Sequence, residues 1–328
     1  MKYKHLAWFA VGLTLCVVVL GAYVRLSDAG LGCPDWPGCY GHLAWPTEAH
    51  EIEQANQTFT ERAVEVDKAW KEMAHRYLAG ILSLTVLALL IWAFRRRHLE
   101  SYGLPLVISF VILFQAALGM WTVTLKLHPS IVMSHLLGGL LTLSLLTWLA
   151  CRHTPTITPY RYAGHVKRWM VVTGLVLLAI QIALGGWTSA NYAALACVGF
   201  PQCNGVWIPE MDFVQALDLF KQYGPNYEFG VKDGPARMAI QMMHRVGFVV
   251  VTVYFAWLIF KLTRNRELMP LGLSLLFLLA LQIALGIINV TYSLPLVVAT
   301  MHNGVAALLL VNMILLLYKT RAVGTKKP

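Results

Sequence analysis

Four of the eleven histidines, His75, His135, His244 and His302, stand where long apolar stretches begin. From each to the far end of its stretch is about 16–19 residues, or roughly 24–28 Å on a helix, so all four sit at one level. A single histidine at a helix start is commonly an interfacial or capping residue. Four at matched places form two pairs, His75 with His135 and His244 with His302, and ionisable groups at membrane depth carry function. Two neutral imidazoles facing each other across a helical bundle are a natural axial pair for a haem iron. Zinc or copper is less suited, because each pair lacks the further Cys, Asp or His that would complete the shell.

The neighbours of these histidines carry chemistry of their own. Glu72 lies three residues before His75, on nearly the same helical face, and Gln241 takes that place before His244. A carboxylate at one pair and an amide at the other predicts that one site reacts and the other does not. The bland alternative is a glutamate favoured by the dipole of a helix N-terminus. Arg76 and Arg245 directly follow two of the histidines. They could pair with haem propionates through charge-assisted hydrogen bonds, or simply snorkel to the interface. Gly80, Gly138, Gly139, Gly247 and Gly304 follow within about a turn and a half, leaving room for a porphyrin edge or for close helix packing.

Cysteine supplies the remaining candidates. GLGCPDWPGCYG (30–41) and ALACVGFPQCNG (194–205) place Cys33, Pro37, Cys39 and Gly41 in register with Cys197, Pro201, Cys203 and Gly205. Each cysteine pair could close a short loop as a structural disulfide, or work as a redox-active dithiol. Cys16 and Cys151 have no obvious partner in the sequence.

The elements that must position these residues are written twice. LGAYVRLSDAG (20–30) corresponds to LGGWTSANYAA (184–194), MAHR (73–76) to MMHR (242–245), and FQAALGMW (114–121) to LQIALGII (281–288). With 58% hydrophobic residues, 13% charged and a mean hydropathy of +0.61, the chain is a polytopic membrane protein rather than a soluble domain. Eight stretches are long enough to span, at approximately 6–25, 75–94, 104–124, 131–151, 168–189, 241–260, 270–291 and 297–318. The first is a retained helix, not a cleaved signal.

With both termini inside, the inner segments hold 16 of the 26 Lys and Arg, and the cysteine loops fall outside. The net charge of +10 is mostly this topology signal; no basic stripe interleaved with aromatics points to nucleic acid. Four spans per repeat is an even number, so the copies share polarity. The expected fold is an all-α integral membrane protein of two tandem four-helix bundles, 1–155 and 156–328, related by a pseudo-two-fold axis along the membrane normal. The long outer connections include EAHEIEQANQTFTERAVEVDKAWKEM and MDFVQALDLFKQY, which could form helices lying over the bundles as a lid.

Taken together, GAYVRLSDAGLGCPDWPGCYG, EMAHR and the three later histidines resemble the haem A synthase family over nearly the whole chain. The resemblance implies oxidation of the C8 methyl of haem O to a formyl group, giving haem A for haem–copper terminal oxidases. It implies haem O, and haem A as product, on His75 and His135, with haem b on His244 and His302. Glu72 would be the carboxylate near the reacting methyl. Cys33 and Cys39 would be the pair implicated in haem transfer or maturation, with Cys197 and Cys203 bridging the second loop. Implied partners are haem O synthase, cytochrome oxidase assembly factors and the lipid of a bacterial cytoplasmic membrane; a homo-oligomer is allowed, and nucleic acid is not a partner. The rival readings are a two-haem transmembrane electron carrier and a membrane thiol oxidoreductase.

Overall fold

The computed structural model describes residues 2–97, 101–158, 166–221 and 223–321. Parts of the expected inner basic segments, 98–100, 159–165 and 322–328, lie outside the described residues. Among the described residues, eight helices are long and apolar enough to cross a membrane. They are α1 (Tyr3–Leu26), α3 (Val66–Arg95), α4 (Gly103–Thr124), α5 (Pro129–Arg152), α6 (Arg168–Ala190), α8 (Gly234–Thr263), α9 (Met269–Thr291) and α10 (Leu296–Lys319). Two short helices, α2 (Ala49–Thr58) and α7 (Phe213–Leu217), lie in the long connections. No strand occurs among the described residues, only two isolated bridges. The chain is an all-helical, multi-pass membrane protein, the form in which a lipid-exposed backbone satisfies its own polar groups.

Two helices begin earlier than apolarity alone indicates. α3 and α8 are 30 residues each; α3 opens on a charged stretch with Asp67, Lys68 and Lys71, and α8 on Gly234, Pro235, Ala236 and Arg237. At the start of α8, Asp233 accepts the Ala236 N–H at 3.0 Å and Pro235 occupies the first turn. His75 and His244 therefore lie roughly two and a half turns inside their helices rather than at the ends. A hydropathy reading sees only the part of a helix that is in lipid.

The connections are less helical than their composition predicts. α7 starts on Asp212, which accepts the Gln215 N–H at 3.0 Å, but it lasts only five residues. Asp218 then turns its carboxylate onto the Phe220 and Lys221 N–H groups, at 3.2 and 3.0 Å, a local arrangement that competes with further helix. α2 is held at its start by Glu51, whose carboxylate accepts from the Thr47 and Glu48 N–H groups.

Packing follows sequence order. α1, α3, α4 and α5 close a ring of neighbours, and α6, α8, α9 and α10 close another in the same order. Between the rings, α10 packs on α1 and α5, and α5 packs on α6. At this seam Arg25 donates to the Ser189 carbonyl at 2.6 Å, and the Tyr192 hydroxyl donates to Asp28 at 3.3 Å. Both contacts join positions 164 apart, the offset of the sequence repeat. The two long connections also grip each other. Arg62 makes a forked pair with Glu228 at 2.9 and 3.1 Å, and that guanidinium holds the Glu228 carboxyl below the usual carboxylate range.

Candidate functional site

The two cysteine loops have one local design. Cys33 is bonded to Cys39 and Cys197 to Cys203, with Cα atoms 4.7 and 4.5 Å apart. In each loop the second cysteine exchanges backbone hydrogen bonds with the residue three ahead, Cys39 with His42 and Cys203 with Val206. Each then turns through a glycine of positive φ, Gly41 at 79° and Gly205 at 80°, a conformation that costs glycine little. Closing so short a loop restricts the unfolded chain by about 2–3 kcal/mol in the entropic account. Cys197→Ser is therefore expected to lower the denaturation midpoint, measured by following helix content against denaturant. An unchanged midpoint would show that the second bridge does not stabilise the fold.

Arg76 and Arg245 clamp these loops. Arg76 donates to the carbonyls of Asp35, Pro37 and Gly38 and is ion-paired with Glu72. Arg245 donates to the carbonyls of Cys197, Gly199, Pro201 and Gln202 at 2.9–3.2 Å. Sequence inspection expects these side chains beside the histidines, where they are. It does not foresee that their hydrogen bonds go to the loop backbones, because those carbonyls come from residues some forty positions away.

Beneath each loop lies a cavity. The first, about 570 Å³, is lined by Glu72, His75, Arg76 and His135, with Trp36, Pro37 and Leu43 from the loop. The second, about 410 Å³, is lined by Gln241, His244, Arg245 and His302. Both volumes are in the range of cofactor sites. The structure thus brings each sequence-predicted histidine pair to one cavity.

Each imidazole rests on a glycine of the neighbouring helix. A Cβ added at Gly21 would stand 2.9 Å from the His75 ring, at Gly119 3.3 Å from His135, at Gly185 3.1 Å from His244, and at Gly286 3.2 Å from His302. Sequence inspection names other glycines. Gly80 has open space around it, whereas Gly138 and Gly247 make room for the amide oxygens of Gln115 and Gln181. The signal for the four seats was present: Gly21 and Gly185 open the corresponding LGAYV and LGGWT, and Gly119 and Gly286 occupy one place in ALGMW and ALGII.

Glutamines complete the support. Gln115 donates to the His135 carbonyl at 2.8 Å, and Gln181 to the His244 carbonyl at 3.0 Å. The Gln181 amide is also 3.1 Å from a His244 ring nitrogen, and the Gln282 amide 3.2 Å from one of His302.

The donor set fits a flat metallated ring better than a bare ion. Two imidazoles on opposite sides of one metal, each bonded at about 2 Å, have ring centroids roughly 6 Å apart. Those of His75 and His135 are 6.4 Å apart. No group of three or more His, Cys, Asp or Glu that could hold a metal ion occurs among the described residues.

Glu72 distinguishes the first cavity. It is 5% exposed, and its carboxylate accepts the Cys33 N–H at 2.9 Å while pairing with Arg76. It therefore ties the disulfide loop to the helix that carries His75. Gln241, equally buried, has an amide oxygen without a hydrogen-bond partner.

Residues 4–314 match the family model described as cytochrome oxidase assembly protein. A protein of Shewanella oneidensis named Heme A synthase is 47% identical over 97% of this chain and 96% of its own length. Proteins of the same name from Paracoccus denitrificans and Shouchella clausii are 26% and 25% identical, over 92% and 90% of this chain and 83% and 89% of their own.

Proposed function

The chain belongs to the family of cytochrome oxidase assembly proteins, and we propose that it is a haem A synthase, an oxidoreductase converting the C8 methyl of haem O to a formyl group. The observation that carries this reading is a pair of cavities of matched construction, each with two histidines seated on glycines, of which only one holds a buried carboxylate. A plain electron carrier has little use for that difference. The direct test is chromatography of haems extracted from cells expressing this chain together with a haem O synthase. Haem A is the expected product, and none above the control would overturn the proposal.

The allocation of roles is the one the family resemblance implies, and the asymmetry between Glu72 and Gln241 agrees with it. His75 and His135 hold the substrate haem O, and His244 and His302 hold a haem b, which supplies electron-transfer chemistry when bound. Two electrons and a proton leave the substrate methyl, the electrons going to an external oxidant, and the cation-like carbon is trapped by water, which gives up a proton to form the hydroxymethyl group. A second round gives a gem-diol, which loses water to become the aldehyde. Glu72 stabilises the developing positive charge or takes the proton. Its two oxygens are already held by Arg76 and the Cys33 N–H, so the carboxylate needs little reorganisation. The disulfides fasten each loop over its cavity, and Arg76 and Arg245 keep the loops down.

Residues 1–155 and 156–328 form two halves about a pseudo-two-fold axis along the membrane normal. Contacts between positions 164 apart support this, because a residue near such an axis meets its own counterpart. The bias of Lys and Arg supports termini on the cytoplasmic side of a bacterial inner membrane, with the loops outside. Haem O synthase and oxidase assembly factors are the partners this placement would serve.

The glycine seats give a separate check. Gly185→Val or Gly286→Val would force a branched side chain against a histidine ring, an overpacking cost of about 1–3 kcal/mol. Each is expected to lower the haem recovered per chain, whereas Gly12→Val should not, since nothing stands within 4 Å of that position. Equal haem content in all three would remove the seats from the site.

A further inference from the structure

Arg25 is the charged residue shared by the two cavities. It lies in the last turn of α1 and lines both, together with Val18, Leu136, Gly186, Ser189 and Asn303. Its side chain is 15% exposed. One terminal nitrogen donates to the Ser189 carbonyl, and the guanidinium carbon stands 4.0 Å from the centre of the Tyr192 ring. The nearest carboxylate, Asp28, is 3.8 Å away and also accepts from the Tyr192 hydroxyl. The Arg25 Nε–H is buried with no acceptor, an expensive condition for a charged donor unless a ligand completes it. Arg76 by contrast spends its donors on loop carbonyls and Glu72.

We propose that Arg25 is a carboxylate-binding residue common to both cavities, taking a propionate of the tetrapyrrole in each. A guanidinium suits this place: it stays charged, it presents several donors in a planar fork, and it is the side chain of choice for carboxylates in partly buried sites. The second repeat has Ser189 at the equivalent position, so the seam carries one such charge instead of two repelling ones. A single cation facing both ligands also couples their charges.

The proposal rests on the two-haem reading and is tested apart from it. Haem is first counted in the purified full-length protein; one haem or none per chain would sink that reading whatever Arg25 does. Arg25→Gln is then introduced into His244→Ala, which keeps the first cavity's ligands, and into His135→Ala, which keeps the second's. Redox titration of the remaining haem is expected to show the reduced-to-oxidised ratio at fixed poise falling by about tenfold in both backgrounds, as removal of a nearby positive charge requires. Arg25→Lys, which keeps the charge, should stay within about twofold of Arg25. A shift in one background only, or in neither, overturns the shared role. Should Arg25→Gln fail to fold, haem-depleted unmodified protein is titrated with haem and with its dimethyl ester. Binding of the ester at least tenfold weaker in both cavities is expected, and equal affinity overturns the proposal.

Discussion

Glu72→Gln is expected to abolish haem A formation while leaving haem bound in both halves. The substitution keeps the shape of the side chain and an oxygen that can still accept the Cys33 N–H, so the disulfide loop should stay in place. What it removes is the negative charge proposed to stand beside the reacting methyl. A positioned acid or base contributes about 10²–10⁴-fold, and electrostatic stabilisation of a developing charge about as much. The variant should accumulate haem O or a hydroxymethyl intermediate, read by chromatography of extracted haems beside the haem-to-protein ratio. The reciprocal Gln241→Glu should leave product formation nearly intact, because in the proposed allocation the haem it faces is not the substrate. Wild-type amounts of haem A from Glu72→Gln would remove Glu72 from the chemistry. A parallel fall in haem content would make it a support for the loop instead.

His244→Ala and His302→Ala are each expected to empty the second cavity and to spare the spectrum of the His75–His135 site. Loss of a residue that merely orients a metal ligand costs about 10–100-fold in affinity, so loss of a ligand itself should cost more. The helices should survive, since the core that joins the rings contains neither histidine. Leu143, Leu146, Phe255 and Leu258 are completely buried there. The measurement is haem per chain together with the low-spin absorption of the purified variant. If all four single histidine variants keep their full haem content, these side chains are not the ligands.

The sequence by itself determined the span count, because about twenty apolar residues make a spanning helix whatever their neighbours do. It also determined the four histidines and the Glu72–Gln241 difference, since spacing along a helix converts directly to depth and face. It left open where those spans end. α3 begins at Val66, ahead of the apolar run, through charged residues such as Asp67, Lys68 and Lys71, and α8 begins at Gly234, where Asp233 caps it and Pro235 opens it. It allowed either helix or a partly helical loop through MDFVQALDLFKQY, where the helix is five residues long and the carboxylate of Asp218 caps the turn that follows.

Only the tertiary structure decided what touches the histidines. Gly21, Gly119, Gly185 and Gly286 lie on neighbouring helices, so their closeness to the imidazoles depends on how helices pack and not on spacing within one. The same holds for Arg76 and Arg245, whose partners are loop carbonyls, and for Glu72, whose acceptor role joins it to Cys33 thirty-nine residues away. Periodicity along a chain specifies which face of an element a side chain occupies. Contact between elements is specified by the fit of all of them at once, and that information is in the packed rings alone.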